Sequence, residues 1–221
     1  MGIPTMDRNG GGAGKGHTAM IRSIVFDIGG VLADFRLMGF LAEKGFDAGM
    51  SGRIIRAAVN SSYWGQFERG EISEEETLRG FASNDPGIRD ELYRAFSDLR
   101  GMLVIRDYAI PLIRRLKDAG YGVYYLSNYS KKAYDECGES LAFMPLMDGG
   151  MVSFRVGQTK PSPEMFTMFL REYGLEAGEC LFVDDTAENV GVAEALGFAA
   201  IRYTSYGELI AAFREYGVEI Q

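Results

Sequence analysis

The chain has 221 residues, 29 of them glycine, and its 23 basic against 31 acidic side chains leave a formal charge of −8. That length suits one domain with an appendage or two small domains, and a hydrophobic fraction of 47% is enough to bury a core. The acidic balance argues against non-specific binding to nucleic acid or an anionic membrane, so an anionic substrate has to be held by a metal ion or a few local cations.

Residues 1–20 read as a flexible leader. Six of the 29 glycines fall in the first 16 residues. Residues 9–17 only superficially suggest a phosphate loop, because Gly14-Lys15 is followed by Gly16 instead of Ser or Thr and no strand precedes it. The one histidine, His17, also lies here, which all but excludes histidine-based catalysis or metal binding elsewhere. Cys137 and Cys180 are too few for a disulfide scaffold and have no zinc-ligand spacing. Both are expected reduced in or near the core, as suits a cytoplasmic protein. No window approaches the ~18 apolar residues of a membrane span, and the first residues lack an apolar signal-peptide core.

From Ile21 the pattern is α/β. The apolar run Ile24, Val25, Phe26 ends in Asp27 and then Gly29-Gly30, the way a buried strand presents a side chain at the carboxyl edge of a sheet. Residues 37–105 change character: helical periodicity dominates, with Ile54, Ile55, Ala58 and Val59 at helical spacing and a capping box from Ser73 to Glu76. Asp85-Pro86-Gly87 makes a turn before a helix marked by Leu92, Phe96 and Leu99. This stretch reads as a small helical insertion.

Alternation then resumes. A helix over residues 108–119 is stopped by Gly120, and a strand from Gly122 ends in Ser127-Asn128. A helix follows from Lys131, and residues 151–154 suggest a short strand. Ser162 caps a helix carrying Met165, Phe166 and Phe169. A strand from Cys180 ends in Asp184-Asp185, Thr186 caps the next helix, residues 199–203 form a last strand, and Ser205 with Glu208 caps a final helix. The predicted fold is α/β, a Rossmann-like doubly wound parallel sheet with an inserted α-helical cap. The core comprises residues 21–36 and 106–221, and the cap residues 37–105.

Three strands therefore end in polar residues on one sheet edge: Asp27, Ser127-Asn128 and Asp184-Asp185. Lys160 adds an ammonium from the loop before a helix. One Asp at a strand end is ordinarily a turn or cap residue, and it is the joint occurrence that points to chemistry. Three carboxylates without His or Cys suit a hard, oxygen-liking cation, Mg²⁺ first. A cation, a lysine and a hydroxyl together match the charge needs of phosphoryl transfer.

Phe26, Asp27, Ile28, Gly29, Gly30, Val31 and Leu32 resemble the first motif of the haloacid dehalogenase-like (HAD) hydrolase superfamily. Leu126-Ser127-Asn128 resembles the second, Lys160-Pro161 the third and residues 183–189 the fourth; residues 191–197 are also typical. The insertion resembles the helical cap of small-metabolite phosphatases. Its residues 67–73 look like those of the branch containing glucose-1-phosphate phosphatase and the phosphatase domain of soluble epoxide hydrolase. The resemblance implies that Asp27 is the nucleophile, forming an aspartyl-phosphate. It makes Asp27, the Gly29 carbonyl, Asp184 and Asp185 the Mg²⁺ site, with Asp184 binding or orienting the metal's waters. Ser127 and the Asn128 backbone N–H would bind the phosphoryl group, Lys160 would neutralise it, and Asn189 would hold Lys160 or Asp184.

One departure stands out. Active relatives usually carry a second Asp two residues after the nucleophile as general acid and base, and here Gly29 stands there. General acid–base catalysis is worth on the order of 10²–10⁴-fold, so a slow enzyme is expected, although Gly29-Gly30 also occurs in this branch. In the cap, Trp64 is a candidate substrate contact, with Phe67 beside it; Arg69 reads better as a surface side chain. The expected activity is a Mg²⁺-dependent phosphatase of a small phosphorylated metabolite, sugar phosphates among the candidates, acting as a monomer. The alternatives are a catalytically weak phospho-ligand binding protein and a metal-independent 2-haloacid dehalogenase.

Overall fold

The computed structural model describes residues 19–220; the leader reading for residues 1–18, His17 included, falls outside the described residues. An apolar run makes β1 (Ser23–Phe26), buried on both faces as a central parallel strand must be. A turn leads to β2 (Ala33–Phe35), and five helices follow: α1 (Leu37–Glu43), α2 (Ala48–Ala57), α3 (Ser62–Glu68), α4 (Glu74–Asn84) and α5 (Arg89–Phe96). β3 (Leu103–Ile105) then returns antiparallel to β2, with Ala33 opposite Ile105 and Phe35 opposite Leu103. The chain continues through α6 (Ala109–Asp118), β4 (Gly122–Ser127), α7 (Lys131–Glu136), β5 (Gly149–Val152) and α8 (Ser153–Val156). It ends with α9 (Pro163–Tyr173), β6 (Cys180–Asp184), α10 (Ala187–Ala195), β7 (Ala199–Arg202) and α11 (Tyr206–Glu215).

The main sheet has the order β5-β4-β1-β6-β7, and every pairing in it is parallel. Side chains alternate between its faces. Ile24, Phe26, Val123, Leu181 and Val183 face Leu112 and Leu116 of α6 and Leu209 and Phe213 of α11. Val25, Leu126 and Phe182 face Phe166 and Phe169 of α9 and Ala193 of α10. This is the doubly wound α/β sheet that the sequence predicts. Phe40, Ile54, Leu78, Phe81, Leu92 and Phe96, from α1, α2, α4 and α5, belong to the first of these two cores, so the helical segment shares one continuous apolar core with that face of the sheet.

Several local details differ from the sequence reading. The strand expected at residues 151–154 lies two residues earlier, at Gly149–Val152. Its two glycines hide it from propensity. They are there because a Cβ on Gly150 would strike the Tyr125 ring and one on Gly149 the Tyr173 ring. Neither Ser162 nor Thr186 caps its helix through its side chain; the Ser162 hydroxyl instead donates to Glu164 Oε2 at 2.5 Å. Leu99 lies beyond the end of α5. The β2–β3 ribbon was not legible, because three-residue strands show no period. Cys137 and Cys180 are both buried, free thiols. Among the described residues no helix is long and apolar enough to cross a membrane.

Candidate active site

Parallel pairing puts the ends of β4, β1 and β6 on one edge. Phe26 is level with Tyr125 of β4 and Val183 of β6, so Asp27 is level with Asp184 and Ser127 lies one residue further out. The Asp27 N–H donates to the Val183 carbonyl at 2.8 Å and completes that register. Lys160, from the loop before α9, reaches across. Its Nζ lies 2.9 Å from Asp27 Oδ1 and 2.6 Å from Asp184 Oδ2. A second contact fixes that loop: the Asn128 amide donates to the Lys160 carbonyl at 2.9 Å and accepts the Lys160 N–H at 2.8 Å. Asn128 thereby locks the end of β4 to the lysine.

Every group at the centre is buried: Asp27 is 9% exposed, Lys160 4%, Ser127 2% and Asp184 0%. A buried charge needs partners, and they are present. Asp27 Oδ1 also accepts the Ile28 N–H at 2.7 Å. Asp184 accepts the Thr186 N–H at 2.8 Å and Asn189 Nδ2 at 3.0 Å on both oxygens. Burial pushes the Asp27 carboxyl upward against the pull of Lys160. Burial works to lower Lys160, yet the Asp27 and Asp184 carboxylates together hold it above its ordinary value. Asp185 is also pushed up, by burial first and then by Asp184 beside it.

Asp27, Asp184 and Asp185 offer carboxylate oxygens that all lie within 4.8 Å of one another. Such an all-oxygen donor set fits a hard divalent cation. The Gly29 carbonyl accepts none of the backbone hydrogen bonds of its turn, which go instead to the Ile28 and Ala33 carbonyls. Asp184 already has both oxygens engaged, so Asp27, Asp185 and the Gly29 carbonyl are the freer donors.

These residues open onto a cavity of about 490 Å³. Asp27, Gly29, Ser127, Asn128, Lys160, Asp185 and Asn189 form its floor, while Asp184 lies buried beneath it. Of its roof the sequence points only to Trp64. Phe35 and Leu103 come from the β2–β3 ribbon, and Trp64 and Glu68 from α3. Trp64 stands at the wall, its ring packed on Phe81 and Phe96 at centroid distances of 6.2 and 6.0 Å. Phe67 is not among the lining residues; it borders separate hollows with Phe81, Ile72 and Lys132. Arg69 pairs with Glu71 at 2.7 Å, outside the cavity. In the sequence Glu68 stands out only as one of residues 67–73. The signal available was its spacing, four residues after Trp64 on one helix face.

A family model described as haloacid dehalogenase-like hydrolase matches residues 21–197. A sesquiterpene phosphatase, AstK, of Aspergillus oryzae is 30% identical over 183 residues, 83% of this chain and 90% of that protein. A D-ribitol-5-phosphate phosphatase of Bacteroides thetaiotaomicron is 26% identical over 193 residues, 81% of this chain and 90% of that protein. Among solved structures, a HAD family enzyme from the same bacterium, in complex with magnesium and inorganic phosphate, superposes with a TM-score of 0.62. It is 22% identical, and the match covers 86% of this chain and 98% of that one.

Proposed function

The chain belongs to the haloacid dehalogenase-like hydrolases, and from that premise we propose that it is a Mg²⁺-dependent phosphatase of small phosphorylated metabolites, working through an aspartyl-phosphate on Asp27. The observation that carries this reading is the buried Lys160 held between Asp27 and Asp184 on one sheet edge. A lysine in that place holds Asp27 ionised, as a nucleophile must be, and turns a positive charge toward an incoming phosphoryl group. The Ile28 N–H and Lys160 both contact Oδ1 of Asp27; one oxygen of the carboxylate would attack phosphorus and the other would serve Mg²⁺. Ser127 and the Asn128 N–H, at the end of β4, orient the phosphoryl oxygens. Asn189 and Thr186 fix Asp184, and through it Lys160. Mg²⁺, held by Asp27, Asp185 and the Gly29 carbonyl with Asp184 behind them, would neutralise charge building up on the phosphoryl oxygens.

The relatives named for sesquiterpene and ribitol-phosphate substrates support a phosphate monoester of a small alcohol. A cavity of about 490 Å³ suits a ligand of that size. Its Phe35, Trp64 and Leu103 wall favours an apolar alcohol, and its Asp34 and Arg106 side chains favour a hydroxylated one. A panel of sugar and prenyl monophosphates, assayed for phosphate release with Mg²⁺ and with EDTA, decides between them. Release is expected only with Mg²⁺, and Asp27→Asn is expected to lower turnover by on the order of 10³-fold or more. Unchanged turnover in Asp27→Asn would remove the mechanism, and halide release from 2-haloacids in EDTA would replace it. Gly29, standing where an acid–base carboxylate is usual, favours a second reading, a phospho-ligand binding protein. A ligand-dependent rise in Tm without phosphate release would support that reading.

A further inference from the structure

Glu68 ends α3 at the roof of the cavity, across from Asp27. Its Oε1 accepts the Trp64 indole N–H at 3.0 Å. Its Oε2 has no hydrogen-bond partner among the described residues. No buried side-chain polar atom among them lacks a partner, so Oε2 is not sealed from solvent, and Glu68 is one of the residues that line the cavity. Two contacts hold Glu68 there. The Ser153 hydroxyl donates to its backbone carbonyl at 2.6 Å, and Gly70 packs against the Phe154 carbonyl, 3.1 Å from where a Cβ would stand. Beside Gly29, by contrast, the space is open: a side-chain carbon there would meet no heavy atom within 4 Å.

We propose that Glu68, reaching down from α3, is the general acid and base of the reaction, filling the role that Gly29 leaves without a side chain. The proposal rests on the phosphatase reading above. In the first step an Asp27 oxygen bonds to phosphorus and the bond from phosphorus to the ester oxygen breaks. The Glu68 carboxyl gives its proton to that oxygen, so the alcohol leaves neutral and Glu68 becomes a carboxylate. In the second step water attacks phosphorus and the Glu68 carboxylate takes one of its protons. The bond to Asp27 then breaks, releasing hydrogen phosphate and restoring the starting protonation. The sum is one ester and one water giving one alcohol and one phosphate.

The electrostatics agree with that role. Burial pushes the Glu68 carboxyl up to about 7, with the Trp64 hydrogen bond opposing and the Asp27 charge assisting. Lys160 and Arg69 pull the other way. The helices packed on α3 turn their charges elsewhere: Glu74 pairs with Lys132, Glu75 with Arg79 and Glu76 with Ser73. Arg155 lies over the Tyr134 ring. Asp34 and Arg106 pair with each other at 2.6 Å. A carboxyl titrating near 7 can give and take a proton at working pH.

The test compares an alkyl phosphate, whose leaving oxygen needs a proton, with p-nitrophenyl phosphate, whose leaving group does not. With Glu68→Gln, kcat/KM for the alkyl ester is expected to fall by about 10²–10⁴-fold. The aryl ester should keep its kcat/KM to within about ten-fold and give a stoichiometric burst of p-nitrophenol, because the phosphoenzyme lacks its base. The wild-type kcat/KM for the alkyl ester should fall as pH rises through about 7, as Glu68 loses its proton, and Glu68→Gln should lack that limb. Adding Gly29→Asp to Glu68→Gln should restore much of the alkyl activity. Unchanged alkyl turnover in Glu68→Gln, or equal loss with both esters, would overturn the proposal. A wild-type protein inactive on both esters would overturn the phosphatase reading first.

Discussion

At the end of β1 two adjacent glycines answer to different constraints. Gly30 has φ +77°, and a Cβ on it would collide with the Asp185 carboxylate. Gly29 has ordinary backbone and open space beside it. Gly30→Ala is therefore expected to cost about 1–2 kcal/mol from backbone strain and to weaken Mg²⁺ binding by displacing Asp185. Gly29→Ala should stay within about 1 kcal/mol of wild type. Urea denaturation and Mg²⁺ titration of the two variants check this, and equal behaviour would contradict it. The residues on the cavity floor were legible one by one, because each follows an apolar run or precedes a helix. Glu68 was not, because nothing in the seven residues of α3 tells that its one carboxylate lines the cavity. Its surroundings are set by Trp64 on its own helix and by Ser153 and Asp27, which come from two distant parts of the chain.

The elements that matter most for the roof are α3 and the β2–β3 ribbon. α3 has no fully buried residue of its own, so its position depends on neighbours: the aromatic packing of Trp64 and the contact of its C-terminal end with Ser153 and Phe154. Gly70 takes φ +68° where α3 meets Phe154. Gly70→Ala is expected to strain that turn by about 1–2 kcal/mol and to lift Glu68 from the cavity. Alkyl-phosphate turnover should then fall while aryl-phosphate turnover is spared. Full alkyl turnover in a folded Gly70→Ala would show that the docking of α3 is irrelevant to chemistry. The longer helices were readable from their period, α6 and α9 among them, and β6 from its continuous apolar run. The ribbon was not, since its pairing exists only because the helical segment must leave and rejoin the core at one place. β5 was misplaced by two residues because aromatic packing, and not propensity, selects its glycines.

At the scale of the whole molecule, the charge of −8 and the buried Lys160 describe two sides of one design. A dianionic ester gains nothing from the overall field of an acidic protein, so its binding depends on short-range contacts at the sheet edge. Two apolar cores, one on each face of the sheet, hold that edge rigid. The first of them extends into the helical segment, which we propose acts as the cap over the edge. The central claim is that phosphorus passes through Asp27. Acid-quenching the wild-type protein within its first turnover, reducing the acyl-phosphate with borohydride and sequencing the peptides by mass spectrometry tests it directly. The modification is expected on Asp27 alone, dependent on Mg²⁺ and absent from Asp27→Asn. Phosphate release with no modification at Asp27, or with the mark on another residue, would contradict it.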